Sequence, residues 1–173
     1  MKTTQWMTLI LMVLVAAFSR LIPHPWNFTA IGAMALFGGT YFPSKKLSMV
    51  IPLAALFVSD LVLGFHATML YVYAGFLAVV LLGWTLREGK TVTRVGTMSL
   101  VTSAIFFLVS NFGVWMMEGL YPKTAQGLVA CYVAGIPFFG NQILGDVFFT
   151  AVLFGGYEAI RKFAPDFAVK ATA

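Results

Sequence analysis

The stretch KKLSMVIPLAALFVSDLVLGF, residues 45–65, decides the fold. Two lysines open it, a long apolar run follows, and one carboxylate, Asp60, stands near its far end. A helix needs roughly 20 residues to cross the ~30 Å hydrocarbon core of a bilayer, and 47–65 has that length. Pro52 falls in the first turns, where a missing amide donor costs little. Runs of similar character cover 5–19, 29–42, 67–86, 93–117 and 127–160. Composition agrees, with 60% hydrophobic and only 10% charged residues and a mean hydropathy of +0.90. The expected fold class is all-α, an integral membrane bundle of about six transmembrane helices.

The charges test that count. With the N-terminus inside, the inner segments carry Lys2, Lys45, Lys46, Arg87, Lys90, Arg94, Arg161, Lys162 and Lys170, and the outer ones only Arg20 and Lys123. Nine against two is a positive-inside bias, so both termini are expected on the cytoplasmic side of a bacterial inner membrane. The net charge of +5 is mostly this bias, which attracts anionic lipid headgroups. Spread over four segments, it does not form the single patch that a nucleic-acid interface requires. The longest polar stretches, 118–126 and 161–173, are too short for a core of their own. One transmembrane domain over 1–173 is expected, with no appended catalytic domain and no cofactor.

The N-terminal run admits a second reading. Lys2, the apolar residues Leu9–Phe18 and the small pair Ala17 and Ser19 resemble a secretory signal; cleavage after Ser19 would leave five spans in the same orientation. Further along, Pro23 and Pro25 force an extended connection, and Trp26 suits the headgroup layer. The run 29–42 is short and rich in small residues, with Ala35 and Gly39 as a small-xxx-small pair. It is either a helix packed deep among others or a partly re-entrant segment. Residues 127–134 are too few to span and are followed by Gly135-Ile136-Pro137. They are expected as a half-inserted helix, with the last span over 138–160.

On this topology the unusual polar residues fall in the outer half: Arg20, His24, Asn27, Asp60, His66, Asn111, Glu118, Cys131, Asn141, Gln142 and Asp146. Asn111, Trp115 and Glu118 lie at i, i+4, i+7, and Gln142 and Asp146 at i, i+4, so each set shares a helix face. Ionisable groups at membrane depth usually face a bundle interior or a wet cavity. Polar stripes with aromatics between them are the ingredients of a small-molecule pocket. Arg20, His24, Asn27, Asp60, His66, Asn111, Trp115 and Asp146 are its expected lining. Arg20 would anchor an anionic group, the aspartates would accept hydrogen bonds, and Trp115 would stack. The competing reading makes the same groups structural glue, with Asp60 and Asp146 pairing with Arg20 to hold three helices together. His24, His66 and Cys131 are suitable metal ligands by type, but they lack any standard spacing. Cys131 has no base placed to activate it as a nucleophile, and no enzymatic activity is expected.

The block RLIPHPWNFTAIGAMALFGG, residues 20–39, resembles the opening of a family of uncharacterised bacterial integral membrane proteins. So do Ser59-Asp60, Gly64-Phe65-His66, the stretch 110–115 and Gly145-Asp146. This resemblance covers nearly the whole chain and implies no particular activity. In architecture the chain is similar to the substrate-binding S-components of energy-coupling-factor vitamin transporters, which have six helices and an outward pocket gated by the loop after the first helix. That likeness implies a gate at Pro23–Phe28 and a vitamin- or cofactor-like solute. The small-residue docking motif of the S-component first helix is not evident in Trp6–Phe18. The function expected is small-solute binding or uptake, with membrane lipids, a small-molecule ligand and an energy-coupling module as partners. The alternative is an accessory subunit of a larger membrane complex, docked through the small residues of 29–42.

Overall fold

Each apolar run becomes a helix. In the computed structural model, which describes residues 2–168, α1 is Thr3–Phe18, prolonged by a 3-10 turn at Ser19–Leu21. It is followed by α2 Ile31–Tyr41, α3 Lys45–Leu63, α4 Met69–Trp84 and α5 Val92–Met117. The last helix, α6, runs over Ala125–Phe163 with a π turn at Ala151–Gly155. No strand occurs among the described residues, and Lys170 lies outside them. Thr3–Leu21, α3, α5 and α6 are long and apolar enough to cross a membrane, whereas α2 and α4 are shorter. The run 29–42 is therefore not a full span. At 1.5 Å per residue α2 rises only about 16 Å, roughly half the hydrocarbon thickness.

Helix ends follow local chemistry. Ser44, Thr91 and Thr124 cap α3, α5 and α6 by accepting from the amides of Leu47, Arg94 and Gly127 at 3.0, 3.2 and 3.1 Å. Gly64, at φ 94°, closes α3 with its amide on the Asp60 carbonyl. α6 departs from the broken helix expected at Gly135-Ile136-Pro137, for it runs straight through Pro137. Pro137 forfeits one backbone hydrogen bond, but contacts with α5 bracket it. The Phe107 ring lies 5.8 Å from Tyr132 and 4.5 Å from Phe139. That packing on both sides of the proline holds one helix where sequence rules suggest two.

α2 is the centre of the bundle, and all its residues are buried. Gly39 and Gly83 let α2 and α4 meet backbone to backbone; a Cβ on Gly83 would lie 2.6 Å from the Leu36 carbonyl oxygen and 2.9 Å from the Gly39 Cα. The small-residue face of α2 is thus spent inside the chain, and it is not a surface for a partner. Phe37 and Tyr41 pack edge-on against Tyr157 of α6, at 5.7 and 4.4 Å between ring centroids. Residues such as Leu11, Val15, Leu61, Val62, Leu108 and Leu144 point outward from the long helices, as lipid-facing positions must.

The charge asymmetry becomes geometry at one end of the bundle. There Lys45 lies over the Trp84 ring at 4.8 Å, Arg94 donates to the Thr85 carbonyl at 2.6 Å, and Arg161 pairs with Glu158 at 2.8 Å. Lys2 reaches Asp166 at the same distance. Arg87 closes α2 from outside it, donating through Nε to the Gly39 carbonyl (2.9 Å), through Nη2 to Phe42 (2.9 Å) and through Nη1 to Pro43 (3.2 Å). A cation at a helix C-terminus is favourable, and a guanidinium fork satisfies several carbonyls at once. Arg87→Ala is expected to cost about 1–3 kcal/mol, and Arg87→Lys to recover less than half of it. Unfolding in mixed detergent micelles measures both.

Candidate functional site

Two polar clusters flank a cavity at the end opposite Lys45, Arg87 and Arg94. In the first, Arg20 of the 3-10 turn donates through Nη1 to Asp60 Oδ1 at 2.7 Å and to Ser59 Oγ at 2.5 Å. Tyr73 of α4 donates its hydroxyl to Asp60 Oδ2 at 2.8 Å. The Arg20 and Asp60 side chains are only 11% and 2% exposed. This is a buried, doubly satisfied carboxylate tying α1, α3 and α4 together, the glue reading realised for Asp60.

The second cluster belongs to α5 and α6. Ser103 donates its hydroxyl to Asp146 Oδ2 at 2.7 Å, and Gln142, one turn before Asp146, donates to the Ser103 carbonyl at 2.8 Å. The other Asp146 oxygen lies against Gly32, where a Cβ would run into it. Asp146 therefore faces the first turn of α2, whose own N-cap, Ala30, supplies no side-chain acceptor. A carboxylate there meets unpaired amides and the positive end of the helix dipole. Arg87 below and Asp146 above thus complement both ends of the short central helix. Among the described residues no lysine or arginine pairs with Asp146; it faces the N-terminus of α2 and does not join Arg20 and Asp60.

Between the clusters lies a cavity of about 300 Å³, lined among others by Arg20, Asn27, His66, Asn111, Gln142 and Asp146. α2 creates it by starting at mid-bundle depth, so that the chain before it must descend from the surface. Phe28 anchors this descending loop on Phe148 and Phe149, at 5.8 and 5.7 Å, and the tight approach of Thr29 is accommodated by Gly145. Irregular backbone at such depth survives only where protein buries it or a cavity receives it. Asn27, at φ 61°, turns the loop. A shallower cavity of about 510 Å³ lies on the outer side of the same loop, lined by His24 and Trp26 and sharing Arg20, Asn27 and Thr29 with the first.

Five of the eight residues expected at the site, Arg20, Asn27, His66, Asn111 and Asp146, are gathered at the inner cavity, and His24 lines the outer one. Asp60 lines neither and acts through Arg20. Trp115 lines neither cavity. Its indole donates to the Pro122 carbonyl at 2.9 Å, and Lys123 bonds the Trp115 carbonyl and sits over its ring. It organises the α5–α6 turn, while its neighbour Val114 lines the cavity. Gln142 and Ser110 also line the cavity; the i, i+4 spacing of Gln142 with Asp146 was the signal for the first. His24, His66 and Cys131 do not converge. The Cys131 thiol donates to the Asn111 carbonyl at 3.3 Å, and His66 Nδ1 shares a hydrogen bond with Thr68 Oγ1 at 2.8 Å. No group of three or more His, Cys, Asp or Glu side chains suited to a metal occurs among the described residues.

Fold and site together define an all-helical, membrane-type bundle with a polar cavity enclosed by a descending loop. The chain belongs to a family of unknown function, DUF6580, whose model matches residues 1–167. No curated protein matches it. No solved structure matches either, and the likeness to vitamin-transporter S-components is without a counterpart there.

Proposed function

We propose that the chain binds a small polar solute in the cavity beneath the 22–30 loop. The observation that carries this reading is the cavity itself: about 300 Å³ of space beside a buried carboxylate, Asp146, and the amides of Asn111 and Gln142. That volume is at the lower end for ligand sites. Arg20 already has Asp60 as its counter-charge, whereas Asp146 has hydroxyl and amide donors but no cationic side chain. The balance favours a solute presenting an amine or several N–H groups to Asp146, and disfavours the anionic group first expected at Arg20. Solute would enter by way of the outer cavity, past His24 and Trp26, and displacement of the loop would open the inner one.

Native mass spectrometry of protein extracted gently from its own membrane tests this. The expected result is a bound small-molecule mass that disappears in Ser110→Phe, which puts a ring into the cavity from α5, and weakens at least tenfold in Asp146→Asn. An empty wild-type protein, or a bound mass indifferent to Ser110→Phe, would refute the reading.

A further inference from the structure

A second cavity, of about 340 Å³, opens between α5 and α6 at the basic end of the bundle. Its walls are apolar, chiefly Val92, Val95, Val147 and Phe154. Gly96 and Gly155 also border it, and a Cβ on either would meet nothing within 4 Å. Deeper in, two side chains break the apolar surface. Ser99 and Thr150 are only 1% and 4% exposed, and their hydroxyl oxygens have no hydrogen-bond partner among the described residues. Helical serine and threonine ordinarily return such a hydroxyl to the preceding turn, and leaving it unpaired in a buried site costs about 1–3 kcal/mol. Directly after Thr150 the helix takes its π turn, Ala151–Gly155, which carries Phe154 and Gly155 to the wall. Such turns occur frequently at functional sites.

The mouth is charged. Glu158 is already engaged, since Oε1 accepts from Tyr41 at 2.7 Å and both oxygens accept from Arg161 at 2.8 Å. Lys90 donates one N–H to the Arg87 carbonyl at 3.2 Å and lies 5.7 Å from the centre of the Tyr41 ring. An ammonium has three N–H groups to give. Burial first, and then Arg161 and Arg87, lower the Lys90 pKa, with Glu158 opposing them in part. An anion at the mouth would relieve that crowding of positive charge.

We propose that this cavity is a binding site for an anionic phospholipid, with one acyl chain between α5 and α6 and the phosphate at Lys90. The apolar walls accept the chain, and the Ser99 and Thr150 hydroxyls can donate to ester oxygens carried beneath the phosphate. Basic pockets between transmembrane helices select anionic headgroups. This site is independent of the solute cavity, which lies at the other end of the bundle.

The test uses the full chain reconstituted with phosphatidylglycerol or phosphatidylcholine and released into native mass spectrometry. Wild type should retain one phosphatidylglycerol at collision energies that strip phosphatidylcholine. Lys90→Gln should weaken retention about fivefold, the effect of one cation near a lipid phosphate. Gly96→Phe should abolish it with melting temperature unchanged in lipid-free detergent, because open space receives the ring. Lys45→Gln, at the same end but over Trp84, should leave retention intact. Equal retention of both lipids, or undiminished retention in Gly96→Phe, would overturn the proposal. Because Gly96→Phe leaves the solute cavity untouched and Ser110→Phe leaves this one untouched, the two sites fail separately.

Discussion

Asp60→Ala is expected to destabilise the protein by about 3–5 kcal/mol, the cost of stranding a buried cation. Arg20 is 11% exposed at its side chain and has Asp60 as its counter-charge; without the carboxylate its guanidinium keeps only Ser59. Tyr73 loses its acceptor at the same stroke. Asp60→Asn should fall between Ala and wild type, because the amide oxygen still accepts while the charge is gone. The informative partner is the double substitution Arg20→Met with Asp60→Leu. Removing both charges together spares the desolvation penalty, so the double variant should be more stable than either single one. Unfolding in mixed micelles measures the cycle. A pair of single variants within about 0.5 kcal/mol of wild type would mean that this cluster does not hold α1, α3 and α4 together.

Gly39→Val should be at least as damaging. The new side chain would be driven into the backbone of α4 at Val80 and Gly83, and a helix backbone cannot swing aside as a flexible side chain can. Overpacking typically costs about 1–3 kcal/mol, and here the upper end or beyond is expected. Because α2 carries the first-turn contact with Asp146, parting α2 from α4 should also disturb the solute cavity. Gly140→Ala is the matched control. Nothing lies within 4 Å of a Cβ there, so helix propensity alone should make it neutral or up to about 1 kcal/mol stabilising. Equal losses at Gly39 and Gly140 would contradict the close α2–α4 packing.

Helix type and number were legible because lipid imposes a blunt requirement. Every backbone amide must be bonded within its own segment, so long apolar runs could become little else, and the expected 47–65 and 93–117 differ from α3 and α5 only at their ends. The polar residues of the site were legible for the same reason: Arg20, Asp60 and Asp146 are too costly at such depth to be incidental. Their pairing was not. One arginine with two candidate carboxylates is a symmetrical choice in sequence, and the position of α2 broke the symmetry by giving Asp146 a helix N-terminus to face. Trp115 shows the limit of helical spacing, which groups residues on a face but does not say which of them a neighbouring loop will claim, here Pro122 and Lys123.

By itself, then, the sequence determined an all-helical, membrane-type chain with most of its basic residues gathered away from Asp60 and Asp146, since hydropathy and charge act locally and add along the chain. Only the tertiary structure decided that α2 starts halfway, that Pro137 sits within one continuous helix, and that the small residues of α2 face α4. Each of these depends on what a distant segment offers in return: Gly83 for Gly39, Phe107 on either side of Pro137, Asp146 and Arg87 for the two ends of α2. Those exchanges are contacts between residues far apart in sequence, and no local pattern carries them.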